Sequence, residues 1–263
     1  MSAVQPHFGW YELMTTDTAA AGKFYSSVIG WNTREMGAPG MPYTVFNTGD
    51  YGVAGMLTIP AEAAAMGTGP SWIGYIVVDD TDAYVARITA AGGKLCKEPT
   101  DVPGMLRFAV VTDPQGAAFV VFHSFPGMTP PANPPKPPDP GTVGWNELYA
   151  GDLETAWGFY SKLFGWTIVN DMDMGQMGVY RLFSDGDAAK TMGAGGMMTK
   201  PPNIPAPFWG FYFNVDSVNA AIERIKSGGG AVLNGPMQVP GGSWIAHCLD
   251  PQGAIFAMVG PKG

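Results

Sequence analysis

The sequence predicts an α+β chain built from four βαβββ modules, and three observations predict it. A long motif occurs twice, each half of the chain alternates strand-type and helix-type patterns in the same order, and a proline-rich segment separates the halves. Gly9-Trp10-Tyr11-Glu12-Leu13, Asp17, Phe24-Tyr25-Ser26 and Gly30-Trp31 recur as Gly144-Trp145-Asn146-Glu147-Leu148, Asp152, Phe159-Tyr160-Ser161 and Gly165-Trp166, at a constant spacing of 135. The match continues through Tyr43 and Phe46 (Tyr180 and Phe183), Gly55-Met56 (Gly196-Met197), and Trp72, Tyr75 and Val78-Asp79 (Trp209, Tyr212 and Val215-Asp216). It ends with Asp113-Pro114-Gln115-Gly116, repeated as Asp250-Pro251-Gln252-Gly253. Such a self-match marks a tandem duplication. The expected domains are 1–125 and 142–263, joined by a linker over 126–141.

Within the first copy, residues 8–15 favour a strand, and Asp17 caps a helix with Ala21, Phe24, Tyr25 and Val28 on one face, stopped by Gly30. Strands follow over 31–36, 43–48 and 51–57, the last two joined at Gly49-Asp50. A second module repeats the order. Its strand over 72–78 leads to a helix opened by Asp79 and Asp80, carrying Tyr84, Val85 and Ile88 on one face and closed by Gly92-Gly93. Strands around 94–97, 106–112 and 117–124 complete it. The last two form a hairpin at Asp113-Pro114-Gln115-Gly116, where Pro at i+1 and Gly at i+3 suit a type I turn. The linker holds eight prolines, which favours a semi-rigid extended spacer; the absence of basic flanks argues against an SH3 ligand.

Composition excludes several function classes. Hydrophobic residues make up 46% of the 263 and charged residues 14%, enough apolar surface for two cores. No apolar run approaches the ~18 residues of a membrane span. A net charge of −8 with no Lys or Arg cluster leaves nothing to displace counterions from nucleic acid. The N-terminus has neither a basic nor an apolar signal region, so a cytoplasmic protein is expected. Cys96 and Cys248 stand at non-equivalent places without a CxxC or Cys/His spacing, and both are expected to be reduced core residues.

Four βαβββ units, a strand-Asp-helix ending in Phe-Tyr-x-x-x-x-Gly-Trp, and an Asp-Pro-x-Gly hairpin before the last strand together resemble the vicinal oxygen chelate superfamily. That is the glyoxalase, bleomycin-resistance and extradiol-dioxygenase fold. The similarity is greatest to tandem-domain bacterial members described as glyoxalase-like or hydroxylase-like. The resemblance implies two glyoxalase-like cup domains, each an eight-stranded pair of modules, although the shared plan also lets the first module pair with the fourth. It further implies a divalent metal held by His, Gln or Glu. The ligand positions fall on Trp10, near Gly55, Ile73 and Val120 in copy one, and on Trp145, near Gly196, Gly210 and Ala257 in copy two. These side chains cannot ligate a hard or borderline cation. His7, His123 and His247 do not converge on one ligand set, so neither metal nor other cofactor is expected.

Strand alternation, with those positions taken as inward, nominates the residues lining each cup. Copy one offers Trp10, Glu12 and Met14, then Ile73, Tyr75 and Val77, then the hairpin pairs Val111 with Ala118, Ala109 with Val120 and Arg107 with Phe122. Copy two offers Trp145, Glu147 and Tyr149, then Gly210, Tyr212 and Asn214, then Trp244, Ala246 and Cys248 with Ile255, Ala257 and Val259. His247 is expected on the outer face as a structural histidine. The expected binding residues are Trp10, Tyr75, Arg107, Phe122, Trp145, Tyr149, Tyr212, Asn214 and Trp244. The indoles and phenols serve equally as flat ligand walls or as core.

Glu12 and Glu147 are the candidate catalytic groups, because a carboxylate among aromatic and aliphatic side chains must be hydrogen-bonded, paired or protonated. Each is either a general base or polar anchor, or a structural carboxylate satisfied by Tyr75, Arg107 or backbone amides in copy one and by Tyr212 in copy two. Glu147 has no Arg107 counterpart, so a raised pKa is expected there. Met172, Met174, Met177, Met192, Met197 and Met198 either rim the second cup or fill gaps in a hairpin. Two functions lead, ahead of a purely structural or interaction role for the tandem fold. One is a protein binding a small, largely apolar or aromatic molecule, as a monomer or homodimer, with no nucleic-acid or membrane partner. The other is a lyase- or dioxygenase-type enzyme, metal-free with Glu acid/base chemistry or with metal ligands not recognised in the sequence.

Overall fold

The computed structural model describes residues 4–37, 42–127, 134–187 and 193–263. Copy one runs β1 (His7–Thr15), α1 (Thr18–Ile29), β2 (Asn32–Glu35), β3 (Thr44–Thr48), β4 (Tyr51–Thr58), a one-turn α2 (Ala61–Ala65), β5 (Ser71–Val77), α3 (Thr81–Ala90), β6 (Lys94–Val102), β7 (Leu106–Thr112) and β8 (Ala118–Ser124). Copy two runs β9 (Val143–Ala150), α4 (Leu153–Phe164), β10 (Thr167–Asp173), a 3-10 turn (Gly175–Met177), β11 (Val179–Ser184), β12 (Gly195–Thr199), β13 (Phe208–Asn214), α5 (Val218–Ser227), β14 (Ala231–Gln238), β15 (Trp244–Leu249) and β16 (Ile255–Gly260). The strands form two eight-stranded mixed sheets, ordered β2-β3-β4-β1-β5-β8-β7-β6 and β10-β11-β12-β9-β13-β16-β15-β14. Each copy therefore supplies one sheet of an α+β fold. No helix among the described residues is long and apolar enough to cross a membrane.

Local chemistry sets the helix ends. Asp17 accepts from the Ala20 N–H at 2.9 Å and Gly30 takes a φ of 90° after α1. Asp152 and Gly165 repeat both devices around α4. A side-chain acceptor for an orphan amide and a residue free to turn left-handed are what a helix start and stop require.

Core packing groups the same chain differently. One compact unit comprises Met1–Gly9, Gly74–Pro130 and Trp145–Trp209, and the other comprises Trp10–Ile73, Pro131–Gly144 and Gly210–Gly263. Hydrogen-bonded strands thus follow the copies, while each core combines one copy with the other: the second module with the third, and the first with the fourth.

Each core is aromatic and is closed by one buried tyrosine. In the unit containing α1, the Trp72 N–H donates to the Tyr25 hydroxyl at 2.9 Å, and that hydroxyl donates to Asp250 at 3.1 Å. Trp31, Phe46, Phe213 and Phe256 pack around this chain. In the other unit Trp209 donates to Tyr160 at 3.0 Å and Tyr160 to Asp113 at 3.2 Å, among Phe119, Phe164, Trp166 and Phe183. The Phe-Tyr and Asp-Pro-Gln-Gly motifs therefore meet across the repeat, the tyrosine of one copy on the aspartate of the other.

The hairpin registers differ by one residue from the sequence expectation. Asp113 Oδ1 accepts from the N–H groups of Gln115 and Ala117, both at 2.9 Å, and Gly116 has a φ of 102°. A left-handed glycine after a type I turn adds a bulge residue to the loop. Val111 therefore pairs with Phe119, Ala109 with Val121 and Arg107 with His123, while Val120 and Phe122 face the other side with Val110 and Phe108. Asp250 builds the same turn, so Trp244, Ala246 and Cys248 share the face of Gly260, Met258 and Phe256, and His247 pairs with Ala257. A one-residue shift moves every side chain to the opposite face.

Other expectations also change. Cys248 is buried, which pushes its thiol up to about 12, but Cys96 is exposed rather than core. Part of the linker, 128–133, lies outside the described residues. Its described end is turned rather than extended, with Asp139 N–H donating to Lys136 O and Thr142 N–H to Asp139 O.

Burial raises the Asp113 carboxyl above its ordinary value of 3.8, against the opposing pull of the Ala117 and Gln115 amides and the Tyr160 hydroxyl. A raised folded pKa couples proton uptake to folding. That contribution is complete below the ordinary value and fades as pH rises through the folded one. Asp113→Asn removes it, so the stability advantage of the native chain over this variant, read from urea denaturation, is expected to be larger at pH 4 than at pH 7. Tyr160→Phe, which takes the side-chain donor from Asp113, is expected to cost about 1–3 kcal/mol.

Candidate functional site

Alternation along β1 buries Leu13 and Thr15 on the core side and turns Trp10, Glu12 and Met14 to the other face, where they are half-buried. Two of these side chains, Trp10 and Glu12, are joined by Tyr43, which precedes β3. The Trp10 N–H donates to the Tyr43 hydroxyl at 3.0 Å, and that hydroxyl donates to Glu12 Oε2 at 2.9 Å. Copy two repeats the chain, with Trp145 donating to Tyr180 at 2.7 Å and Tyr180 donating to Glu147 Oε1 at 2.7 Å. Glu147 is buried.

A glycine makes each chain possible. Glu12 stands opposite Gly55 in the parallel β1–β4 pairing, and Glu147 opposite Gly196 in β9–β12. A Cβ on Gly55 would overlap the Tyr43 hydroxyl, and one on Gly196 would overlap the Tyr180 ring. Each tyrosine therefore lies across the bare backbone of the neighbouring strand to reach the glutamate. Burial, then the charge of the adjacent glutamate, holds both tyrosine hydroxyls well above their ordinary value, so both keep their protons.

The other nominated residues divide. Tyr75 pairs with Val120, and its ring packs on Phe108 and Phe122 at 6.3 and 5.8 Å, so Tyr75 and Phe122 share a face. Tyr149 stacks on Phe208 at 4.9 Å, and Met198 is its strand partner. Asn214 is buried, with its amide on Thr142 Oγ1 at 2.9 Å.

Two nominations fail with the hairpin register. Arg107 lies on the helix side, where it forks onto Asp82 at 2.7 and 3.0 Å and reaches Asp101 at 2.7 Å. Trp244 faces the same way in copy two, with the Lys262 ammonium 4.2 Å over its ring. His247, expected outside, instead shares the face of Tyr212, and its Nε2 lies 2.8 Å from the Tyr212 hydroxyl. Among the methionines, Met172 and Met198 are the strand partners of Tyr180, Met197 is buried on the opposite face, and Met174 and Met177 are exposed around the 3-10 turn. Met192 lies outside the described residues.

The sequence model of the Glyoxalase/Bleomycin resistance protein/Dioxygenase superfamily matches residues 7–121 and 142–258. The chain belongs to this superfamily. Among similar glyoxalase-superfamily sequences, a Mycobacterium tuberculosis protein with the provisional name glyoxylase CFP32 is 34% identical over 257 residues, covering 96% of this chain and 94% of its own. The anthracycline biosynthesis protein DauV of a Streptomyces species is 32% identical, covering 95% and 91%. The Mn(II)-bound glyoxalase of Novosphingobium aromaticivorans shares the fold with a TM-score of 0.67 at 16% identity, covering all of this chain and 84% of its own. Homoprotocatechuate 2,3-dioxygenase of Arthrobacter globiformis has a TM-score of 0.65 at 14% identity, covering 97% and 79%.

A divalent metal is the superfamily's usual cofactor, and the residues here do not fit one. At two of the implied ligand positions in each copy stand a tryptophan and a glycine, and the phenol lying over that glycine is protonated. Such a set lacks the several anionic or imidazole donors a cation needs. Among the described residues no group of three or more His, Cys, Asp or Glu side chains is placed to hold a metal ion.

Removing the central hydroxyl by Tyr180→Phe takes a partner from both the Trp145 N–H and the buried Glu147, at an expected cost of about 1–3 kcal/mol. Tyr43→Phe is expected to cost less because Glu12 is only half-buried. Urea midpoints of the two variants check the order; equal losses would contradict it.

Proposed function

We propose that the chain binds a small, largely apolar or aromatic molecule at the Trp10–Tyr43–Glu12 and Trp145–Tyr180–Glu147 centres, without a metal. The observation that carries this reading is the twice-built Trp–Tyr–Glu chain over a glycine, at places where the superfamily resemblance puts a metal. Holding the indole N–H on the tyrosine fixes the ring plane and presents a flat stacking surface. The glutamate supplies an acceptor for one polar group of the ligand, giving the mostly apolar lining with few polar groups expected of a small-molecule site. Tyr149, on the same face of β9 as Trp145 and Glu147, extends the wall of the second centre. The resemblance to a protein named for anthracycline biosynthesis supports planar, oxygenated polycycles as the ligand class to test first. Cytoplasmic residence and a monomeric or homodimeric state complete the proposal.

Titration of the full chain with a dihydroxyanthraquinone, followed by tryptophan fluorescence, is expected to give saturable quenching that Trp10→Ala and Trp145→Ala each reduce. No saturable binding, or binding indifferent to both variants, would overturn the assignment.

A second reading, metal-free acid/base catalysis, is favoured by the burial of Glu147 and its 2.7 Å bond to Tyr180. A carboxyl there can pass a proton to a ligand carbonyl or hydroxyl. Glu147→Gln keeps the shape and removes the titration. Under this reading the variant loses the pH dependence of ligand binding or turnover; an unchanged profile makes Glu147 structural.

A further inference from the structure

Copy two carries an aromatic pair that copy one lacks. Tyr149 follows Trp145 and Glu147 on the outward face of β9, and its ring stacks on Phe208 of the adjacent β13, with centroids 4.9 Å and planes 13° apart. Met198 of β12 is the strand partner of Tyr149 on the other side. Along the repeat, Tyr149 corresponds to Met14, Met198 to Leu57 and Phe208 to Ser71. Met14 and Leu57 pair in the same register, so the strands are laid alike and only the side chains differ. The copy-two set lies entirely within Trp145–Trp209 of one compact unit, and the copy-one set within Trp10–Ile73 of the other.

The fold does not need the stack. With Met14 and Ser71 at these places, copy one builds the same strand order. Nor does the pair belong to the core, because Tyr149 and Phe208 are both half-buried while the neighbouring Leu148 and Trp209 are buried on the opposite face. Its position relates it to the Trp145–Tyr180–Glu147 centre. Trp145 and Tyr149 are four residues apart on an extended strand, so roughly 13 Å separates their Cα atoms, with Glu147 midway. Tyr149 also joins burial and the Glu147 charge, the larger causes, in raising the Tyr180 hydroxyl, so the stack stands within electrostatic reach of the centre. Copy two therefore sets a flat indole, an acceptor and a second aromatic surface in one row. Copy one ends the same row in a thioether and a small hydroxyl.

We propose that Phe208, held in place by Tyr149, is a specificity-determining residue that fits the second centre to ligands of several fused rings with an oxygen substituent between their ends. One end of such a ligand stacks on Trp145, the substituent meets Glu147, and the far ring packs on Phe208. The first centre, with Met14 and Ser71, holds the same ligand by Trp10 alone and more weakly. The inference rests on the small-molecule reading above and deepens it by assigning the longer ligand to copy two.

The test is calorimetric titration of the full chain with a dihydroxyanthraquinone and with the single-ring 1,2-dihydroxybenzene, using the native chain, Phe208→Ser (the residue of copy one) and Phe208→Tyr. The native chain is expected to bind the three-ring probe at two unequal sites, the tighter of which Trp145→Ala removes. Phe208→Ser is expected to weaken that tighter site about tenfold, the worth of one aromatic stacking contact, and to change the single-ring probe less than about twofold. Phe208→Tyr, which keeps the ring, is expected to retain the native affinity. Two equivalent sites in the native chain, equal weakening of both probes, or no change in either would overturn the role of Phe208 while leaving ligand binding intact. Failure of both probes to bind the native chain would overturn the binding reading itself and this inference with it.

Discussion

The structure depends on two buried phenol–carboxyl contacts, Tyr25 on Asp250 and Tyr160 on Asp113. Each aspartate also organises its own hairpin by accepting two backbone amides, and each tyrosine also receives a tryptophan N–H. One carboxyl therefore fixes a turn, a helix of the other copy and an aromatic core together. Leaving such a group unpaired in an apolar core costs far more than the net gain of making the bond, so the contact enforces geometry more than it adds stability. The chemistry also explains why neither copy is a closed structure by itself: the partner each Tyr–Asp contact needs lies in the other copy.

With the sheets fixed in this way, the outward faces of β1 and β9 are free to specialise. Glycine at Gly55 and Gly196 removes the side chain from one strand so that a tyrosine from the next can cross it. The result in both copies is a flat indole, a protonated phenol and a glutamate linked by hydrogen bonds. This arrangement can stack on a ring and accept from a polar substituent, and it offers little to a cation. Under the proposed function, the scaffold that holds Mn(II) in a structurally similar glyoxalase is used here for an organic ligand.

Much of the fold was legible in the sequence. Asp17 and Asp152 as caps, Gly30 and Gly165 as stops, and the apolar alternation of β1 and β9 are local signals that tertiary packing did not override. The Asp-Pro-Gln-Gly turn was legible as a turn but not as a five-residue loop. The bulge depends on the Asp113 carboxylate reaching the Ala117 amide, a contact no propensity encodes, and missing it turned Arg107, Trp244 and His247 to the wrong faces. The candidate site was half legible: the shared face of Trp10 with Glu12 and of Trp145 with Glu147 follows from alternation, but the residue joining each pair does not. Tyr43 and Tyr180 were visible as a repeated pair, and the repeated Gly55 and Gly196 were the signal that a side chain lies across them. Linking the two needs the β1–β4 and β9–β12 pairings, which are long-range. The α2 turn, a short run of alanines with no amphipathic pattern, left no periodic signal to read.

If the Trp–Tyr–Glu centres take the place of a metal centre, as proposed, metal binding itself tests it most directly. Chain purified without chelator and then titrated with Zn²⁺, Ni²⁺, Mn²⁺ and Fe²⁺ under calorimetric detection is predicted to hold no stoichiometric metal and to show only weak, non-saturating heats. Glu147→Gln and Glu12→Gln are predicted to leave that result unchanged. One or two equivalents of tightly bound metal, lost in either glutamate variant, would contradict the account.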